Sequence, residues 1–183
     1  MAGSRSEIKL AGFGGQGIAL MGNIIGKAAQ LFTDKNAVFT QSYGPESRGG
    51  ASSSDVVIDS EEIDYPYTGK GKVDYFIVMS KEAYTKYVEF LREGGLLFYD
   101  TDLVALDDQS KKAGKIYGCP ATAIAEKLGI KIAANIVMLG FFAGKTDVLP
   151  AEIIEKAVLS SVPPKFKQLN EKAFRSGMEY REE

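Results

Sequence analysis

The first candidate for chemistry is a glycine-rich segment near the N-terminus. Residues 12–17 read G-F-G-G-Q-G and fit the spacing G-x-G-x-x-G. A strand-like apolar run, Ile8 to Phe13, precedes them, and a helical pattern from Ile18 to Phe32 follows. Glycines let the backbone approach a ligand, and a helix N-terminus offers unpaired amides to an anion. The segment therefore predicts an anion site, against the alternative of a glycine-rich turn that binds nothing.

A nicotinamide dinucleotide is a poor match for this segment. That fingerprint requires an acidic residue at the end of the second strand, where it holds a ribose hydroxyl. Here the second predicted strand, Ala37 to Gln41, runs into Ser42, and Asp34 comes before it, at the wrong end of the sheet. An ordinary NAD site is therefore not expected.

The second candidate is the loop that follows that strand. Residues 43–50 read Y-G-P-E-S-R-G-G, so Arg48 lies between a stiff proline and a permissive glycine pair. A guanidinium can donate two parallel hydrogen bonds to the oxygens of a phosphate or a carboxylate. Taken alone, the loop fits equally well a surface turn whose arginine pairs with Glu46 or water. We expect the two loops to follow adjoining strand ends. The candidate cofactor-binding residues are Gly12, Gly14, Gly15, Gln16, Gly17, Tyr43, Ser47, Arg48 and Gly49.

Composition narrows the function classes. With 183 residues, the chain is expected to form one domain, residues 1–183. A net charge of −2 provides no basic field for nucleic acid or an anionic membrane. The absence of histidine and the single cysteine, Cys119, exclude histidine-based nucleophile chemistry and a cysteine-held cluster within this chain. No apolar run is long enough to span a membrane, and the N-terminus does not read as a signal peptide, so a cytoplasmic location is expected.

The elements that must position these loops alternate between strand and helix. Further strands are expected at 51–59, 73–80, 96–99 and 115–117. Helices are expected at 81–91, ended by Gly94-Gly95, then at 120–128, at 135–143 and beyond Pro150. This order predicts an α/β fold: a mostly parallel Rossmann-like sheet with helices on both faces and a helical C-terminal end. The apolar 135–143 helix fits the core or a subunit contact, and Asn135 is expected to cap it.

Taken together, F-G-G-Q-G (13–17) and Y-G-P-E-S-R-G-G (43–50) closely resemble the gamma subunit of the 2-oxoacid:ferredoxin oxidoreductases of the pyruvate, 2-oxoisovalerate and 2-oxoglutarate types. The resemblance covers most of the chain, from Ile8 through the 135–143 helix. The related indolepyruvate enzymes share the glycine loop, but G-P-E-S-R-G-G fits the other branches better. The sequence does not identify which oxoacid is used.

This resemblance implies that the cofactors and the catalytic steps are distributed among several subunits. Enzymes of the family decarboxylate a 2-oxoacid oxidatively with thiamine diphosphate, pass electrons through iron–sulfur clusters to ferredoxin, and release the acyl group on coenzyme A. Thiamine diphosphate, magnesium and the clusters are then expected on partner chains, the alpha and beta and in some enzymes delta subunits. This chain has no catalytic residue or metal ligand of its own, is not expected to be active alone, and would help to form the coenzyme A site. Homodimerisation stays open.

Two alternatives come from other classes. One is a free-standing dinucleotide-dependent dehydrogenase, which the missing acid disfavours. The other is a structural assembly subunit whose glycine loop is empty.

Overall fold

The computed structural model describes residues 5–43 and 50–182. Its strands are β1 (Ser6–Phe13), β2 (Asn36–Tyr43), β3 (Ala51–Asp59), β4 (Val73–Val78), β5 (Leu91–Asp100) and β6 (Lys115–Cys119). They form one sheet in the order β2-β3-β1-β4-β5-β6. Strand β3 runs antiparallel to both of its neighbours, whereas β1, β4, β5 and β6 pair in parallel. The predicted mostly parallel sheet is confirmed.

Helices cover both faces of this sheet. They are α1 (Ile18–Phe32), α2 (Lys81–Tyr87), α3 (Ala121–Lys127), α4 (Ala134–Ala143), α5 (Ala151–Ser161) and α6 (Lys167–Glu179). One core cluster joins Ile8 and Leu10 of β1 to every helix except α2. A second cluster packs α2 against the opposite face, around Ala11 and Phe76. Two-sided cover and a helical C-terminal end are thus confirmed. Within the described residues, no helix combines the length and apolar character needed to cross a bilayer.

Helix α4 is apolar all round because protein surrounds it. Residues 135–143 are all buried, and α6 packs directly on the outer side of the helix. The contact is close enough that a Cβ on Gly140 would overlap the carbonyl oxygen of Phe174, and one on Gly177 would overlap that of Val137. Glycine is therefore needed on both helices, and α4 is a core helix.

One predicted boundary was wrong. Gly94 and Gly95 do not end the helix that begins at Lys81; that helix ends at Tyr87, and a 3₁₀ turn leads into β5 at Leu91. The glycines lie inside β5, where the pairing with β4 is irregular between Val73 and Tyr75. Gly94 has a φ of 75°, a conformation that glycine adopts readily. The glycine pair therefore marks an irregular strand rather than a helix end.

The two loop-bearing strands do not adjoin. Strand β3 lies between β1 and β2, pairing Ala51 with Phe13 and Ser52 with Tyr43. The physical reason is that β2 and β3 form an antiparallel hairpin, which a short loop can close. Because β1 and β2 run in the same direction, their C-terminal ends nevertheless lie on the same side of the sheet, with β3 between them.

Candidate functional site

The loop between β1 and α1 requires glycine at two positions. Gly15 has a φ of 100° and Gly17 a φ of 76°, both in the left-handed region that disfavours other residues. No described atom lies within 4 Å of the point where a Cβ on Gly15 would be, so this glycine faces open space. Gly17 ends the loop as the residue immediately before α1. The loop thus turns sharply and leaves backbone exposed at the sheet edge.

Gln16 fastens this loop to the neighbouring strand. Its Oε1 accepts a hydrogen bond from the Phe13 amide at 2.6 Å, and its Nε2 donates to the Met79 carbonyl at 2.8 Å. Gly12 makes room for this arrangement, because a Cβ there would lie 2.6 Å from Gln16 Oε1. Two of the predicted contact residues, Gly12 and Gln16, therefore shape the loop from inside the protein.

Asn135 supports the other end of the loop. Its side chain is almost fully buried, and its Nδ2 donates to the Gly17 carbonyl at 3.4 Å. A Cβ on Gly17 would lie 2.3 Å from the same nitrogen. Asn135 was expected to cap α4, but α4 already begins at Ala134. Asn135 Oδ1 accepts a hydrogen bond from the Ile136 amide within the helix, so capping is only part of its role. The contact between positions 17 and 135 links distant parts of the sequence, and no local pattern signals it.

The free donors of the loop are its alternate amides. The Gly14 amide donates to the Gly50 carbonyl at 3.3 Å and the Gln16 amide to the Phe13 carbonyl at 3.1 Å. The amides of Gly15 and Gly17 donate to no acceptor in the described part of the chain. The first turn of α1 also lacks a side-chain cap and an acidic residue. These groups can receive an anion, and the helix dipole favours one there.

A crevice with a mixed lining opens on the β4 side of the loop. It has a volume of about 350 Å³ and lies over the carboxyl ends of the parallel strands. At its wall, Thr122 donates its hydroxyl to buried Asp100 at 2.7 Å, and burial raises the pKa of the Asp100 carboxyl. This pairing fixes Thr122 at the start of α3. The residues lining the crevice are Gly15, Gln16, Met79, Leu103, Thr122, Lys131, Ile132 and Ala134.

An apolar groove of about 380 Å³ adjoins the same loop on its α6 side. Ile132, which separates the groove from the crevice, is 84% exposed. Phe166 is also largely exposed at the far wall. Gly15, Gly17 and Asn135 form one end of the groove, so its apolar walls lead directly to the free amides. The sequence reasoning did not anticipate these walls, because they come from five separate helices and turns.

The second candidate loop is only partly within the described residues. Ser47, Arg48, Gly49 and the side chain of Tyr43 lie outside them. Its anchors are described: β2 ends at Tyr43, and the Gly50 carbonyl accepts the hydrogen bond from Gly14. A third cavity, of about 250 Å³, adjoins the glycine loop and is also lined by Gln41 of β2 and Ser52 of β3. The two predicted loops thus begin at strand ends on the same side of the sheet.

The chain is similar to known proteins. Residues 7–180 match the family model described as pyruvate ferredoxin/flavodoxin oxidoreductase. The chain belongs to this family. It is 47% identical over 180 residues to 2-oxoglutarate synthase subunit KorC of Methanocaldococcus jannaschii, covering 98% of this chain and 95% of that one. It is 31% identical to pyruvate synthase subunit PorC of the same organism, covering 91% and 92%.

A solved structure has the same fold as well as a similar sequence. The crystal structure of a keto/oxoacid ferredoxin oxidoreductase gamma subunit from Geobacter sulfurreducens matches with a TM-score of 0.84 and 40% identity, covering 96% of this chain and 95% of that one. The resemblance inferred from the two loops is therefore confirmed: the chain is a gamma-type subunit of a 2-oxoacid:ferredoxin oxidoreductase.

The family assignment agrees with the sheet order, which differs from that of a dinucleotide-binding domain. In a Rossmann sheet the second strand lies beside the first, so that its terminal acid reaches the ribose. Here antiparallel β3 takes that place, and β2 is one strand further away. The dehydrogenase alternative therefore fails on geometry as well as on the missing acid.

Cys119 lies at the end of β6 and is fully buried. Burial, assisted by Asp100 and Asp102, raises the pKa of its thiol to about 12. The described residues contain no group of three histidine, cysteine, aspartate or glutamate side chains that could hold a metal. Cys119 thus packs as a small apolar residue, and the thiolate needed for nucleophilic attack is strongly disfavoured.

Proposed function

We propose that this subunit binds the phosphate groups of coenzyme A in the assembled oxidoreductase. The observation that carries the proposal is the pair of amides at Gly15 and Gly17, which have no acceptor among the described residues and lie at the N-terminus of α1, beside the carboxyl end of β1. Phosphate oxygens are the acceptors that such a backbone arrangement suits best. Gly14 and Gln16 support the two amides from within the loop.

The apolar groove supports coenzyme A over a simple anion. Coenzyme A joins a highly charged nucleotide end to a long, uncharged pantetheine arm. The glycine loop adjoins a groove whose walls include Leu20, Ile136 and Leu169, so a charged end and an uncharged arm can be accommodated side by side. From the second loop, Arg48 would be the charged contact to the phosphates, and Tyr43, Ser47 and Gly49 would complete the site.

The oxoacid is proposed to be 2-oxoglutarate. The chain is 47% identical to the 2-oxoglutarate synthase subunit of Methanocaldococcus jannaschii but 31% identical to the pyruvate synthase subunit of that organism. Both comparisons cover more than nine-tenths of each chain. The difference supports descent with the 2-oxoglutarate branch.

The remaining chemistry is proposed to come from partner subunits. Thiamine diphosphate and magnesium would be held by the alpha and beta subunits, and iron–sulfur clusters by these or a delta subunit that passes electrons to ferredoxin. With one buried cysteine and no histidine, this chain lacks the thiolates that an iron–sulfur cluster needs. It would therefore be inactive alone, and the complex would work in the cytoplasm, where coenzyme A is used.

The test is Arg48→Ala in the assembled complex, with initial rates measured at varied coenzyme A. We expect the KM for coenzyme A to rise about tenfold, because a charge-assisted hydrogen bond is lost, while the KM for the oxoacid stays unchanged. Arg181→Ala is the matched control, since the hydrogen bonds of the Arg181 side chain within the described residues go to nearby carbonyls in the C-terminal segment. An unchanged KM for coenzyme A in Arg48→Ala would remove Arg48 from the site.

A further inference from the structure

Three cavities adjoin the glycine loop, and they differ in the charge of their walls. Gly15 lines all three of them. The described residues that line the apolar groove and the third cavity are all uncharged. Of the three cavities, the crevice alone has a charged side chain among its described lining residues, and that side chain is Lys131. A ligand with additional charge at one end would therefore be oriented by these walls, with that end in the crevice.

Lys131 lies at the rim of the crevice. It begins the 3₁₀ turn Lys131–Ala133, directly after the buried Ile130. Its side chain is 76% exposed and pairs with Glu126 at 2.7 Å, and the hydrogen bond from that carboxylate raises the pKa of the lysine. An ion pair in contact with water contributes little net free energy, because water competes with both partners. The Lys131 ammonium is therefore charged and can exchange its carboxylate partner for a phosphate.

The covalent order of coenzyme A matches the order of these cavities. In the proposed function, the glycine loop binds the central phosphates and the apolar groove takes the pantetheine arm. Gly15 and Ile132 line both the groove and the crevice, so they lie between the two cavities. The adenosine end, which continues from the other side of the central phosphates, then enters the crevice. That end carries a further phosphate on the 3′ oxygen of its ribose and meets the cationic wall.

We propose that Lys131 binds the 3′-phosphate of coenzyme A and makes this subunit prefer coenzyme A over molecules that lack this group. A lysine ammonium binds a phosphate as a point charge with several donors. The inference rests on the proposed function and extends it, because it determines which end of the ligand lies in which cavity.

The other walls of the crevice suit a nucleoside. Leu103 and Ile132 are exposed and provide apolar surface against which a base can pack. The Thr122 hydroxyl donates its proton to Asp100, and its oxygen can still accept a hydrogen bond from a ligand. A cavity of about 350 Å³ is also within the size range in which proteins bind small ligands.

The test uses the assembled complex and two coenzymes that differ only at this phosphate, coenzyme A and dephospho-coenzyme A. We expect the kcat/KM of the unmodified complex to be at least about tenfold higher for coenzyme A, because a charge-assisted hydrogen bond is worth such a factor. Lys131→Met keeps the length of the side chain and removes its charge. This variant should lower kcat/KM for coenzyme A about tenfold and leave kcat/KM for dephospho-coenzyme A unchanged.

Two further variants serve as controls. Lys127→Met removes the same charge from an exposed position at the end of α3 that lines none of the three cavities, and it should keep the full preference. Lys131→Arg restores a cation and should keep most of the preference. The proposal would be overturned by equal kcat/KM for the two coenzymes in the unmodified complex. An equal fall for both coenzymes in Lys131→Met, or an unchanged preference in that variant, would overturn it as well.

These outcomes can be separated from those of the proposed function. If Lys131→Met kept the preference while Arg48→Ala raised the KM for coenzyme A, the subunit would bind coenzyme A with its 3′-phosphate elsewhere, and only the role of Lys131 would be wrong. If Lys131→Met, Arg48→Ala and Gly15→Ala all left the KM for coenzyme A unchanged, the proposed function would fail together with the role of Lys131.

Discussion

The parallel and antiparallel halves of the sheet carry different parts of the candidate site. In the parallel half, the ends of β1, β4 and β5 converge on one crevice, where side-chain contacts fix the glycine loop in place. In the antiparallel half, β2 and β3 form a hairpin that carries the second loop, and β2 is the edge strand of the sheet. The comparison shows that the described contacts which hold a candidate site in place belong to the first half, whereas the second half holds the anchors of the loop that carries Arg48.

The largest expected effect tests the rigidity of the parallel half. Gly17→Ala should lower the free energy of unfolding by about 3 kcal/mol, through left-handed backbone strain and displacement of Asn135. Gly15→Ala is the matched control, because it introduces similar strain where a Cβ meets open space. It should cost only about 1–2 kcal/mol in the same urea titration. Equal losses would show that Asn135 does not hold the loop.

A smaller effect is expected from Gln16→Ala. It removes both hydrogen bonds that tie the loop to Met79 and Phe13, and should cost about 2 kcal/mol of unfolding free energy. Gln109→Ala is the control, because the Gln109 side chain bonds only to neighbouring Asp107 on the surface. Denaturant titration measures both. If the Gln16 variant were as stable as the Gln109 variant, the two hydrogen bonds of Gln16 would not hold the loop in place.

The sequence was most informative where a feature is local. The strand, glycine loop and helix at 8–32 follow from hydrophobic period and glycine spacing, and the structure has them nearly at the predicted bounds. The insertion of β3 between β1 and β2 was missed, because strand order depends on which strands pair and not on their own residues. Gly94-Gly95 misled for a related reason: the pattern of a helix end and that of an irregular strand are alike.

The candidate site shows the same limit. Local spacing identified the backbone donors, but the support from Asn135, the polar wall at Thr122 and the apolar wall at Ile132 come from residues more than 100 positions away. Only tertiary packing brings them to the loop. Gln16 was assigned to the ligand, whereas its side chain is bonded within the protein, because spacing alone does not give the direction of a side chain.

The central claim is that the loops of both halves hold one coenzyme A molecule. Calorimetric titration of coenzyme A into the assembled complex tests it, using Gly15→Ala, Arg48→Ala and the double variant. We expect each single change to raise the Kd for coenzyme A. The loss of binding free energy in the double variant should be smaller than the sum of the two single losses by at least about 0.5 kcal/mol, because Gly15 and Arg48 contact the same phosphate groups. An unchanged Kd in either single variant would contradict a shared site.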